Sequence, residues 1–340
     1  MRITVFIPYL IPPREIAAAG WNGASTPRLK SALAKAACSH DTRDSLSLLC
    51  GLFGVERQQD WPLAPLLASG DNLNAGQSYW LCATPMHLET RRHGLTASHE
   101  NGLQLSEAES VTLAATLGAH LQDEKITLHT PWPTRWYLQC ANPPAMTTTP
   151  WDTVAGRDVR THLPTGKDSA RWHRLLTEMQ MLLHSHPVNA EREAIGLPAV
   201  NSLWLWGGGV MPPVTNAPDA PFATVFSGDT TLRALARHTG CLIANPPRQF
   251  TPYTSKPAKN ARLFFSLESL IPSIRHGDLA AWQAAMAALE QSWIAPLLDA
   301  LNSQHLSELT LISSTPNGSR QFVIRKADRW KWWRTNAMVD

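Results

Sequence analysis

The sequence holds only five cysteines, Cys38, Cys50, Cys82, Cys140 and Cys241, and no two of them stand in a CxxC spacing. That argues against zinc and a disulfide framework, and it fits a reducing, cytoplasmic compartment. No charge of one sign dominates: 30 Lys and Arg stand against 27 Asp and Glu, a formal net charge of +3. So small and dispersed a surplus does not make a nucleic-acid surface, and no nucleic acid is expected as a partner. Long apolar runs are missing too. The opening MRITVFIPYLIPP is cut by Pro8 and Pro12 and has no small-residue cleavage site. It reads as a buried first strand, neither a signal peptide nor a membrane span, and no membrane is expected as a partner. Internal repeats and low-complexity segments are likewise lacking.

What is present is a chain of 340 residues, 44% hydrophobic, long enough for one large α/β domain or for a core with an inserted second domain. Its 14 tryptophans sit mostly in mixed apolar strings such as PWPTRWYL, as expected of side chains filling a core and its seams. ITVFIPYLI reads as a strand, and Pro27 opens a helix after Ser25 or Thr26. Residues 44–55 form a short helix, and WPLAPLLASGDNLNAGQSYW reads as a loop. Ser106 with Glu109 three residues on is a capping box for the helix that follows. SARWHRLLTEMQMLLHSHP is an amphipathic helix that ends at a proline, and NSLWLWGGG is a strand running into a glycine turn. From residue 222 onward strands and helices alternate, which argues for a parallel, doubly wound sheet formed by the two ends of the chain.

The stretch HPVN, Arg192, GLPAVNS and LWLWGGG, between His186 and Gly209, resembles a segment of the archaeal-type, cofactor-independent phosphoglycerate mutases of the alkaline phosphatase superfamily. Their bacterial relatives catalogued as RpfE-type regulatory proteins are the nearest likeness. WLCATPMHL is similar to the segment that leads into the family's lid domain. STPRL, LFG (52–54) and HGD (276–278) are similar to segments of its core. The resemblance implies an α/β fold: an alkaline-phosphatase-like parallel-sheet core over residues 1–79 and 213–340, with a smaller inserted α+β lid domain over 80–212.

Members of that superfamily use two divalent metals, held by Asp and His at strand ends, while a Ser or Thr attacks the phosphoryl group. Measured against that pattern, the first strand ends in FIPYLIPP with no carboxylate before Glu15, and LISSTP sets Ile312 and Ser313 where Asp and His are expected. Spacing from LFG carries the nucleophile onto Ser45, but Leu46 replaces the adjoining Asp, and Cys82 replaces an arginine of the lid. The mutase chemistry is therefore expected to be lost, and no cofactor is expected. Mn, Zn or Mg enters only if His276 and Asp278 serve as rearranged ligands; Asp278 is equally well placed as a helix N-cap.

Three functions remain in view. The preferred one is a non-catalytic regulatory protein that binds a small anionic ligand, phosphorylated or carboxylated, or a protein partner. Its anion pocket would comprise His186, Asn189, Arg192, Asn201 and the amides of Gly207, Gly208 and Gly209, since glycine lets backbone amides approach an anion and arginine adds a bidentate donor. The competing reading is that the glycines let two layers pack closely while Arg192 pairs with Glu191 or Glu193. The second function is a metal-dependent phosphomutase or phosphatase with rearranged ligands. The third is an interaction protein that docks through Trp330, Trp332 and Trp333 of the C-terminal DRWKWWRTN, which cannot all share one face of a strand or helix. The oligomeric state is left open.

Overall fold

The computed structural model describes residues 1–12, 24–91, 94–97, 100–214, 220–251 and 261–330. The chain forms two compact units, Met1–Val55 with Val214–Asp340, and Glu56–Pro213.

The first unit is built on a seven-stranded sheet. Its order is Leu242–Ala244, Thr224–Phe226, Arg262–Ser266, Arg2–Pro8, Glu308–Thr315, Gly318–Ile324 and Ala37–Asp41. The strands from Leu242–Ala244 through Glu308–Thr315 run parallel, and the last two are joined by antiparallel pairing. Period-two alternation sorts the side chains onto two faces. Ile3, Val5, Ile7, Leu309 and Leu311 face one way, into a core shared with Leu29, Leu33, Trp282 and Leu297 of the covering helices. Phe6 and Phe264 face the other way, where Phe53 and Phe222 close an aromatic cluster. Each such side chain, fully buried, contributes about 1.5–3 kcal/mol.

Two features of this unit depart from the sequence pattern. Ala37–Asp41 carries no apolar alternation because it is an edge strand, exposed along much of its length and held by backbone pairing. The long helix expected from residue 278 is interrupted. Leu279–Leu289 passes through a π turn, Glu290–Ile294, before Ala295–Asn302 resumes the α-helix. Pro296 has no N–H for the regular ladder, and the wider turn just before it absorbs the mismatch.

In the second unit an antiparallel four-stranded sheet runs in the order Ser202–Gly209, Tyr79–Met86, Arg135–Cys140, Ile126–Trp132. Helices Glu107–Asp123 and Ser169–His184 bury Leu113, Leu117, Leu121, Trp172, Leu176 and Leu183 in its core. The capping box at Ser106 and Glu109 is formed, and the second helix stops just before Pro187, where a further helix, Pro187–Ala194, begins. The chain enters this unit at residue 56, whereas the sequence suggests 80. WPLAPLLASG, read as a loop, supplies the helix Leu63–Gly70, which packs on the Tyr79–Met86 and Ser202–Gly209 strands. Its Pro65 lies in the first turn, where a missing N–H costs nothing.

Candidate functional site

In open parallel sheets ligands collect beyond the carboxyl ends of the strands. Here those ends carry hydroxyls. Ser227 follows Thr224–Phe226, Ser266 closes its own strand, and Ser313 and Ser314 stand beside Ile7 and Pro8 in register. All four serines are buried. Ser227 Oγ accepts from the Asp229 amide at 3.0 Å, Ser266 Oγ donates to Glu268 at 3.0 Å, and Ser313 Oγ accepts from the Ile11 amide at 2.9 Å. Ser314 Oγ has no hydrogen-bond partner among the described residues. The Asp229 carboxylate accepts from the Leu232 amide as a helix N-cap. Among the described residues no three His, Cys, Asp or Glu side chains gather so as to hold a metal ion. The described carboxylates of this edge, Asp229 and Glu268, are engaged by a helix amide and by Ser266, and they do not make the clustered carboxylate and imidazole set that a pair of divalent metals needs.

Ser45 opens the helix Ser45–Leu52, half-buried behind Asp44, whose carboxylate accepts from the Ser47 amide at 2.7 Å. His276 and Asp278 are exposed and turned to local work: His276 Nδ1 lies 2.7 Å from the Pro272 carbonyl, and Asp278 caps Leu279–Leu289 by accepting from the Ala281 amide at 2.9 Å. Trp330 closes a 3₁₀ turn, Lys326–Trp330. Trp332 and Trp333 lie outside the described residues.

The structure brings His186, Asn189 and Arg192 together on one helix and buries them, but it turns them inward. Arg192 is 1% exposed. Its Nε donates to the Pro198 carbonyl at 3.0 Å, Nη1 to Glu109 Oε1 at 2.9 Å, and Nη2 to the Leu103 carbonyl. The partner is thus Glu109, 83 residues away, rather than Glu191 or Glu193. Asn189 is similarly committed: its amide donates to the Leu183 and Val200 carbonyls and its oxygen accepts from the Val200 amide. His186 is the N-cap of Pro187–Ala194, with Thr116 3.1 Å from its other nitrogen. Asn201 exchanges two hydrogen bonds with the backbone of Leu88. Together these groups pin a helix to its neighbours.

The three glycines make no turn. They continue the strand through a bulge after Trp206, and close packing explains them. A Cβ on Gly208 would come within 2.3 Å of the Tyr79 hydroxyl, and one on Gly209 within 2.6 Å of Pro62. Only Gly207 needs its left-handed φ of 69°.

Beside the bulge is a buried carboxylate that no sequence motif marks. Asp60 is 4% exposed, and its carboxylate accepts from the Thr148 amide and hydroxyl. Burial pushes its pKa up, against the hydrogen bonds from Thr148 that hold it down. Asp71, equally unmarked in sequence, gathers Trp132, Arg135 and Tyr137 around one carboxylate. Cys82, expected in place of a lid arginine, is a buried thiol whose pKa is raised by desolvation, so no thiolate forms near neutral pH. No described helix is long and apolar enough to cross a membrane.

Comparison with known proteins places this architecture. The chain is 30% identical over 131 residues to the 2,3-bisphosphoglycerate-independent phosphoglycerate mutase of Methanosarcina mazei, a match covering 38% of this chain and 33% of that one. It is 38% identical over 68 residues to the corresponding mutase of Methanothrix thermoacetophila, covering 20% and 17%. The matched region thus spans about a third or less of these relatives. Among solved structures, the cofactor-independent phosphoglycerate mutase of Thermoplasma acidophilum superposes with a TM-score of 0.51 at 12% identity, covering 95% of this chain and 89% of that one. A protein from Pyrococcus horikoshii gives 0.59 at 14%, covering 96% and 89%. No family profile matches. The chain resembles the cofactor-independent phosphoglycerate mutases in sequence, and its fold is theirs, of the alkaline phosphatase type.

Proposed function

We propose that this phosphoglycerate-mutase-like chain has given up phosphoryl transfer and acts as a regulatory protein that recognises a small anionic ligand. The observation that carries the reading is the carboxyl edge of the parallel sheet, where Ser227, Ser266, Ser313 and Ser314 stand and Ile312 is buried. Two-metal phosphoryl transfer needs ligands that offset the metals' charge and hold them about 3.5–4 Å apart. Neutral serine hydroxyls do neither, and the described carboxylates beside them, Asp229 and Glu268, are not gathered into a metal-holding group. Ser45 has no described base in hydrogen-bond contact that would activate it. The unpaired state of all five cysteines supports a reducing, cytoplasmic setting.

Elemental analysis of the purified protein, paired with phosphomonoester and 3-phosphoglycerate turnover assays with and without added Mn, tests the proposal. The expected result is no stoichiometric metal and no chelator-sensitive turnover, with Ser45→Ala indistinguishable from wild type. Stoichiometric metal with turnover that a chelator abolishes would overturn it and favour an enzyme with rearranged ligands.

A further inference from the structure

At the other end of the core strands, on the face that carries Phe6 and Phe264, lies a cavity of about 150 Å³. Arg2 and Arg262, each the first residue of its strand, are register partners on adjacent parallel strands and both line it. Paired residues leave a sheet on the same face, on strands about 4.8 Å apart, and like charges so placed repel. Among the described residues the carboxylate placed to offset them, Glu308, sits beside Arg2 in register. It is already bound by Arg325, at 2.8 Å from Nε and 2.7 Å from Nη2. Arg262 is stacked over Phe222, its guanidinium carbon 5.2 Å from the ring centroid, which fixes the direction of its fork. One step deeper the wall carries the hydroxyls of Thr4 and Thr310, register partners of each other, and then the amide of Gln321.

From this arrangement we infer that the cavity is a binding site for a small oxyanion, a phosphoryl or carboxylate group gripped by Arg2 and Arg262. An anion between the two guanidiniums turns their repulsion into paired, charge-assisted hydrogen bonds, and the fork geometry of arginine matches both kinds of group. Thr4, Thr310 and Gln321 add neutral donors behind them. The site lies at the amino ends of the strands, away from the serine edge. It stands whether or not the chain turns over a substrate.

Isothermal titration at constant ionic strength, with inorganic phosphate and malonate titrated in parallel, tests this. One-to-one binding is expected, and the tighter of the two anions assigns the group. Arg2→Gln and Arg262→Gln should each weaken it about tenfold, the loss of one charge-assisted contact. Arg157→Gln removes the same charge from an exposed position in the other unit and should leave it unchanged. Glu308→Gln should tighten it, because a carboxylate leaves the cavity wall; this gain does not depend on a variant losing structure. Absence of binding by both anions overturns the inference, as does equal weakening by all three arginine variants.

Discussion

Replacing Arg192 by alanine tests the account of the second unit most directly. The side chain is 1% exposed and serves the Leu103 and Pro198 carbonyls and the Glu109 carboxylate, which itself closes the capping box of Glu107–Asp123. Breaking a buried ion pair by removing one partner costs about 3–5 kcal/mol. The Glu109 side chain is 24% exposed, so water can partly resolvate it; a loss near the lower end, about 3 kcal/mol, is expected. For a unit of this size that is a fall in Tm of roughly 6–12 °C by calorimetry. Hydrogen exchange should quicken first in Pro187–Ala194. The effect should also depend on pH. Burial raises the Glu109 pKa, but hydrogen bonds from Ser106 and Arg192 outweigh it and hold the group below its ordinary value of 4.5. A depressed carboxyl pKa stabilises the fold above the unfolded value, and that stability is lost as pH falls through the folded value. The gap between wild type and Arg192→Ala should therefore be full at neutral pH and shrink below about pH 4.5. A Tm loss under about 2 °C, or a gap that does not narrow in acid, would refute the reasoning.

Two further predictions concern packing and capping. Gly208→Ala would drive a Cβ into the Tyr79 hydroxyl at 2.3 Å and Leu81 at 2.9 Å, so chemical denaturation should show a loss of about 1–3 kcal/mol. An unchanged midpoint would mean that this strand can shift at no cost. Glu290 on the π turn accepts from the amides of Arg28 and Leu29, at 2.7 and 3.1 Å, and so caps a helix more than 260 residues away in sequence, where Thr26 makes no side-chain cap. Glu290→Ala should cost about 2–4 kcal/mol in the same assay, two hydrogen bonds to a charged acceptor less partial rescue by water. A loss below about 0.5 kcal/mol would show the cap to be dispensable.

Much of the architecture is legible in the residues because it is encoded locally. The alternation in ITVFIP specifies a two-faced strand, and Ser106 with Glu109 specifies a helix start; each needs only neighbours a few residues away. The want of Asp and His in LISSTP is equally a matter of composition, and the sheet only adds that Ser313 and Ser314 lie level with the end of Arg2–Pro8. What the sequence could not assign was the use of long-range polar groups. Arg192 reads the same on the page whether it faces an anion or Glu109, since which partner it meets depends on how two helices distant in sequence are packed. The glycines of LWLWGGG likewise signal close approach without saying whether a ligand or Tyr79 and Pro62 does the approaching. Asp60, Asp71 and the Arg2 and Arg262 pair carry no motif, because burial and strand register, which exist only once the chain has folded, decide what their charges meet.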